Sequence, residues 1–185
     1  MRHHLTATIV LLVSLTPLTP AASSGVATPG PTVHADDAAL GELAEWALGR
    51  YENAGLNPPS VEIYLHSADA PCQGNRGIFN AELGRVDVCV DDPMVMLHEI
   101  AHAWTHENLS PTRRAEYVAA GGFDSWDDAD TSWLDKGSEN AADTIAWALL
   151  ERPIKMLTPD GPIAQTNEAY RLLTGSDTPR LVFGA

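Results

Sequence analysis

Two histidines and the glutamate that follows the first of them are the residues of this 185-residue sequence best suited to chemistry. The segment His98-Glu99-Ile100-Ala101-His102 fits the H-E-x-x-H pattern. On an α-helix, His98 and His102 would stand about 40° apart and about 6 Å along the axis, so both imidazoles could reach one ion. Glu99 would lie beside the ion without binding it, where it could take a proton from a water molecule. The pattern predicts hydrolysis assisted by one zinc ion.

A third protein ligand is expected, because catalytic zinc sites usually combine three protein ligands with one open position. His106 continues the same helical row, but it would lie about 12 Å along the helix from His98, too far for zinc bonds of about 2.1 Å. No histidine follows His106 in the sequence. The remaining candidates are Glu139 and Asp143, in an apolar segment where a carboxylate is costly to bury unless it is paired or binds a metal.

We expect Glu139 to be the third metal ligand. Asp143, one helical turn further, would then accept the Nδ1 proton of His98 and orient that ring. The exchange of these two roles is one alternative. An exposed carboxylate pair that binds nothing is another.

Helix start signals place both groups of residues on helices. Asp92 is a suitable N-cap, and Pro93 suits the first helical position of the segment that contains the histidines. A later helix over about residues 138–151 would carry Glu139 and Asp143. The apolar face that would press the first helix into a core consists of Leu97, Ile100, Ala101 and Trp104. The histidines would then face a cleft.

The remaining patterns predict an α+β domain over residues 37–185. Alternating apolar residues predict strands at residues 61–65 and 85–90, and a brief apolar pair predicts a third at 77–80. Together they would form a small antiparallel sheet. Further helices are expected over residues 37–49, 111–121 and 163–173. The sheet would pack on the helices that carry the metal ligands.

The N-terminus has the order of a secretory signal peptide. Arg2 precedes an uncharged stretch over residues 5–18, and small residues dominate from 21 to 27. A membrane anchor is the alternative, but the apolar run is shorter than the roughly 20 residues that span a bilayer. We expect a signal peptide over residues 1–27, a flexible linker over 28–36, and a secreted protein without stable membrane insertion.

Cys72 and Cys89 are the only cysteines in the sequence. In an exported protein such a pair predicts one disulfide bond, which would close a loop of about 17 residues and contribute about 3 kcal/mol of stability.

Acidic residues outnumber basic ones, 25 to 11, which gives a net charge of −14. Nucleic-acid-binding proteins need basic surface to displace counterions from phosphates. We therefore expect no nucleic-acid partner.

The two predicted helices together resemble the gluzincins, zinc peptidases in which the H-E-x-x-H helix is followed by a helix with a glutamate ligand. The segment Glu139-Asn140-Ala141-Ala142-Asp143 is similar to the thermolysin-like pattern of a ligand Glu followed by an Asp. Residues 139–153 also look like the compact ImmA/IrrE-type metallopeptidases, with Asp143 where that group often has Asn. The positions that match are Glu139, Ala142, Ile145, Ala146, Leu149 and Leu150. The resemblance covers residues 85–153 and implies a zincin core that acts on a peptide or protein substrate.

The sequence departs from that family at two points. It has no equivalent of the substrate-binding N-A-x-W motif, and no downstream histidine that could stabilise a transition state. Tyr117, Tyr170 and Arg171 are the candidates for that role. The strand over residues 85–90 is the candidate for an edge strand that pairs with an extended peptide.

Two alternatives to this function stay open. The chain could be a secreted binding or inhibitory module whose zinc is structural or inert. It could also be a hydrolase whose third ligand is Asp124 or Asp127, in the manner of aspzincins.

Overall fold

The structure, a computed structural model, describes residues 30–150 and 163–179, so the predicted signal peptide lies outside it. Its strands are β1 (Thr32–Ala35), β2 (Glu62–Leu65), β3 (Gly77–Asn80) and β4 (Arg85–Val88). Its helices are α1 (Ala38–Asn53), α2 (Pro93–Asn108), α3 (Pro111–Gly121), α4 (Gly137–Leu149) and α5 (Ile163–Thr174). None of the described helices is both long and apolar enough to cross a membrane.

The predicted α+β class is confirmed, but the predicted strand directions are only partly right. The sheet has the order β1-β2-β4-β3. Only β3 and β4 pair antiparallel, as a hairpin, whereas β1 with β2 and β2 with β4 pair parallel. The sheet is therefore mixed. Alternating apolar residues indicate that a strand exists, whereas its direction depends on how the connections return the chain to the sheet.

Strand β1 corrects the predicted linker, because residues 32–35 pair with β2 instead of forming a flexible segment. The amide of Thr32 donates to the carbonyl of Val61 at 3.0 Å, and Val33 packs against the core. The strand is too short for its apolar residues to form a recognisable period. Immediately afterwards, Asp37 caps α1 by accepting a hydrogen bond from the amide of Leu40 at 3.0 Å.

The core lies between the inner face of the sheet and the helices. Helix α2 is central, since it packs on the sheet, on α1 and most extensively on α4. The hydroxyl of Tyr51 on α1 donates to the carbonyl of Leu97 at 2.9 Å, which fixes α1 against α2. The sheet residues that are fully buried against the helices are Ile63, Leu65, Val86 and Val88.

The opposite face of the sheet carries polar side chains that bind one another. Asp87 accepts hydrogen bonds from Nε of Arg85 and from Nε2 of His66, each at 2.7 Å. The guanidinium of Arg85 also lies 3.9 Å from the ring centre of Tyr64. Burial opposes ionisation of Asp87, but these hydrogen bonds outweigh it, so the pKa of this carboxyl lies below its usual range.

The predicted disulfide bond is confirmed. Cys72 and Cys89 are joined with an S–S distance of 2.06 Å, and both residues are buried. The amide of Cys89 also donates to the carbonyl of Arg76 at 2.9 Å. The disulfide and this hydrogen bond together restrain residues 73–76, which lead directly into β3.

Candidate metal centre

Helix α2 presents the histidines as the sequence predicts. Asp92 accepts a hydrogen bond from the amide of Met94 at 2.8 Å, and Pro93 opens the helix. The opposite side of α2 is buried in the core. His98 and His102 therefore face a cleft, where their side chains are 12% and 15% exposed.

Helix α4 brings the carboxylates to the histidines. No side chain caps its N-terminus; instead, the amides of Gly137 and Ser138 donate to the carbonyls of Ser125 and Trp126, each at 2.8 Å. These bonds fix the first turn of α4, which includes Glu139. Small alanines at positions 141, 142 and 146 are fully buried and allow α2 and α4 to approach closely.

Three side chains converge on one point of the cleft. Nε2 of His98 lies 3.0 Å from Nε2 of His102, and Oε2 of Glu139 lies 3.2 and 3.3 Å from these two nitrogens. Donors bound to one tetrahedral zinc at about 2.1 Å would lie roughly 3.4 Å apart. Two imidazoles and a carboxylate at this spacing could hold a metal ion, and the described part of the chain contains no other such group.

Asp143 occupies the position expected for a residue that orients a ligand. Nδ1 of His98 donates to Oδ1 of Asp143 at 2.8 Å, and the Asp143 side chain is only 1% exposed. The bond leaves Nε2 of His98 free to face the cleft. Contacts of this kind fix the ring and the tautomer of a metal-binding histidine.

The cluster has strongly coupled charges. Burial disfavours the charged form of His98, but the carboxylates of Asp143 and Glu139 outweigh it and raise the pKa of His98 to about 10. Burial also opposes ionisation of Glu139, yet hydrogen bonds from His102 and His98 hold the pKa of its carboxyl far below the usual range. Two buried carboxylates thus attract positive charge to the point where the ligand atoms meet.

Glu99 lies beside the cluster but is not one of its three ligands. It is 7% exposed. Burial raises the pKa of Glu99, and the two histidines only partly offset this effect. A carboxylate with a raised pKa is a stronger base than an ordinary glutamate, which suits proton transfer.

Strand β3 holds the Glu99 side chain, a feature that the sequence analysis missed. The backbone amide of Phe79 lies near the Glu99 carboxylate and slightly opposes the rise in its pKa. Gly77 lies so close that a Cβ atom there would be 2.5 Å from Cγ of Glu99. A glycine within a strand can mark such a close approach, and this was the available signal.

The strand predicted to bind substrate is not the edge strand. β4, within the predicted 85–90 segment, pairs with β2 on one side and β3 on the other. β3 is the edge strand on this side of the sheet, with β1 at the other edge, and Gly77, Ile78 and Phe79 line the cleft. Edge positions follow from sheet order, which alternation in the sequence does not specify.

The cleft has a volume of about 410 Å³ and is lined by all three candidate ligands together with Glu99 and Asp143. Its lining also includes residues that the sequence analysis did not select. Apart from β3, the apolar ones are Met94, Val95 and Trp133.

The three predicted transition-state donors do not line this cleft. Tyr117 is buried and donates to Oδ1 of Asn140 at 2.8 Å, whereas Tyr170 is fully buried in the core. Burial raises the pKa of each phenol to about 12. Arg171 forms an ion pair with Asp177 at 2.6 Å. The helix faces that carry both tyrosines turn into the core, which their sequence positions alone did not reveal.

The alternative ligands Asp124 and Asp127 are not part of the metal-binding group. Asp127 does line the cleft, but its carboxylate is paired with Nζ of Lys136 at 3.1 Å. His106 also lies outside the group, and the centre of its ring is 5.7 Å from the ring centre of Phe79. The geometry therefore favours Glu139 over these residues.

Comparison of the chain with models of protein families, with curated proteins and with solved structures finds no match. The resemblance to gluzincins therefore rests on the motifs and on the geometry of the site.

Proposed function

We propose that this protein is a secreted zinc-dependent peptidase of the gluzincin type. The observation that carries the proposal is the placement of Glu99, a buried carboxylate beside the His98, His102 and Glu139 cluster but not within it. A purely structural metal site needs ligands only. A base held next to the ligands in an open cleft is what hydrolysis requires.

Zinc is the metal that best fits these ligands. Two imidazole nitrogens and one carboxylate are a common ligand set of catalytic zinc, and they leave one position open. A zinc ion bound there would lower the pKa of a water molecule to about 7 and polarise a substrate carbonyl.

The side chains around the metal position would divide the remaining work. Glu99 would accept the proton of the attacking water and pass it to the leaving amine, with its side chain packed against Gly77 of β3. Asp143 would keep Nε2 of His98 directed at the metal.

The edge strand supports an extended peptide as substrate. The amide of Cys89 donates to the carbonyl of Arg76, so this carbonyl points towards β4. In an antiparallel pair the backbone groups of every second residue point the same way, so those of Ile78 and Asn80 also point towards β4. The backbone groups of Gly77 and Phe79 therefore face away from β4. Glu99 already lies against Gly77 and near the Phe79 amide, so a peptide would pair mainly with the carbonyls of this edge. A peptide could add there as a further strand beside the metal ligands.

Metal analysis and hydrolysis assays on the Glu99→Gln variant test the proposal. We expect this variant to keep one zinc per chain and to lose cleavage of a diverse peptide library. Glu45→Gln, which changes an exposed glutamate on α1, serves as the matched control and should keep both the zinc and the hydrolysis. Unchanged hydrolysis by Glu99→Gln would refute the mechanism. A wild-type protein that binds zinc but cleaves no peptide would favour the binding or inhibitory module.

The third ligand needs a separate test. Glu139→Ala should lose most of its zinc affinity, measured by competition with a chromophoric chelator. Full zinc retention in that variant would instead favour Asp124 or Asp127 as the ligand.

The disulfide supports export, because such bonds persist mainly in oxidising compartments. N-terminal sequencing of protein expressed with its own leader and exported by a bacterial host tests this point. We expect the mature chain to begin after a residue between 21 and 27. Retention of Met1 in the exported protein would contradict the signal peptide.

A further inference from the structure

We propose that Trp133 is a specificity-determining residue that selects substrates with a large apolar side chain close to the bond that is cleaved. The inference rests on the proposed peptidase function and adds a substrate class to it.

The position of Trp133 sets it apart from other exposed apolar residues. Trp133 is 40% exposed, and the only other exposed large hydrophobic residues in the described segments are Leu83 and Leu134. Single exposed apolar residues are common and need no explanation. Of these three, however, only Trp133 lines the cleft that contains the metal ligands.

The backbone around Trp133 is fixed relative to the metal site. Trp133 begins a short 3₁₀ helix, Trp133–Asp135, which leads into α4 and hence to Glu139. The amide of Asp124 donates to the carbonyl of Asp135 at 3.1 Å, and further backbone bonds secure the start of α4. An aromatic side chain on such a support can contact a ligand with little additional loss of conformational entropy.

The chemistry of the lining favours an apolar partner. Trp133 shares the cleft with the apolar side chains of Ile78, Phe79, Met94 and Val95. Apart from the metal cluster, Glu99 and Asp143, the charged residues of the described lining are Arg76 and Asp127. Each already has a partner of opposite charge, Asp92 for Arg76 and Lys136 for Asp127. The lining therefore offers a substrate side chain apolar contact rather than an unpaired charge.

The test compares Trp133→Ala with Leu134→Ala, which removes a neighbouring exposed apolar side chain outside the cleft lining. Peptides that differ only in carrying Phe, Ala or Lys at one position are cleaved, and the products are identified by mass spectrometry. We expect the wild type and Leu134→Ala to prefer Phe beside the cleaved bond. Trp133→Ala should lose on the order of 10- to 200-fold in kcat/KM for the Phe peptide, and little for the Ala peptide. Trp133→Phe should restore part of the preference.

A binding measurement separates this inference from the proposed function. The zinc-loaded Glu99→Gln protein, with and without Trp133→Ala, is titrated with the same peptides by calorimetry. Tighter binding of the Phe peptide that depends on Trp133 would support the inference even if the wild type hydrolyses nothing. The inference would be overturned if Trp133→Ala kept the full preference for the Phe peptide in cleavage or binding. It would also be overturned if the wild type neither cleaved nor bound the Phe peptide better than the Lys peptide. Equal zinc content and melting temperature in both alanine variants exclude unfolding as the cause.

Discussion

Replacing Gly77 by alanine should slow the proposed hydrolysis about 100-fold without weakening metal binding. The added Cβ would lie 2.5 Å from Cγ, 2.7 Å from Oε1 and 2.9 Å from Cδ of Glu99. Carbon atoms in contact normally lie about 3.5 to 4.0 Å apart, so the glutamate side chain must move by about 1 Å. The strand has little freedom to yield, because β3 pairs with β4 and the disulfide ties down the segment before it.

The displacement would act on catalysis in two ways. It would move the Glu99 carboxylate relative to the Phe79 amide and the two histidines, which favour its ionised form. It would also misplace the base, and an error of about 1 Å in a reacting group can cost roughly 100-fold in rate. Zinc affinity should stay unchanged because Glu99 is not one of the ligands.

The assay measures kcat with a peptide substrate, zinc content and the free energy of unfolding for Gly77→Ala beside a control. Gly49→Ala suits as the control because Gly49 lies within α1 and its added Cβ would meet no atom within 4 Å. We expect kcat of Gly77→Ala to fall about 100-fold and that of the control to stay unchanged. Full activity of Gly77→Ala would refute the reasoning. Loss of zinc together with activity would show that the strand acts on the ligands instead of on Glu99.

Further predictions concern the surroundings of the site and the sheet. Asp143→Ala should weaken zinc binding about 10- to 100-fold by releasing the ring that it orients, as measured by chelator competition; unchanged affinity would contradict that role. Replacing Cys72 and Cys89 together by serine should lower the free energy of urea unfolding by about 3 kcal/mol. An unchanged midpoint of the urea unfolding curve would contradict a stabilising role of the disulfide. The lowered pKa of Asp87 means that its ionised form stabilises the fold above about pH 4, and that this contribution is lost as the pH falls through the folded-state pKa. Asp87→Asn should thus be destabilised at pH 7, with the difference from wild type shrinking below about pH 4; an equal difference at pH 3 would contradict this.

The sequence was sufficient for features that depend on local geometry. The spacing of His98 and His102 places both rings on one side of any helix that contains them, and Asp92 with Pro93 indicates where that helix begins. With only two cysteines in the chain, the pairing of Cys72 with Cys89 had no competitor. These features hold whatever the surrounding fold is.

The tertiary structure decided which distant segments meet. Glu139 is separated from His98 by 41 positions, and its approach depends on the close packing of α4 on α2. Sheet order made β3 the edge strand beside Glu99 and placed β4 in the interior, although the sequence predicts a strand at both positions. Packing also turned Tyr117 and Tyr170 into the core.

For the metal centre, the sequence by itself determined the two histidines and the glutamate between them, because a single helix sets their relative positions. Only the tertiary structure brought the third carboxylate to them and packed Gly77 of β3 against Glu99. The physical reason is that helix geometry repeats every few residues, whereas contacts between separate elements arise from the packing of the whole core.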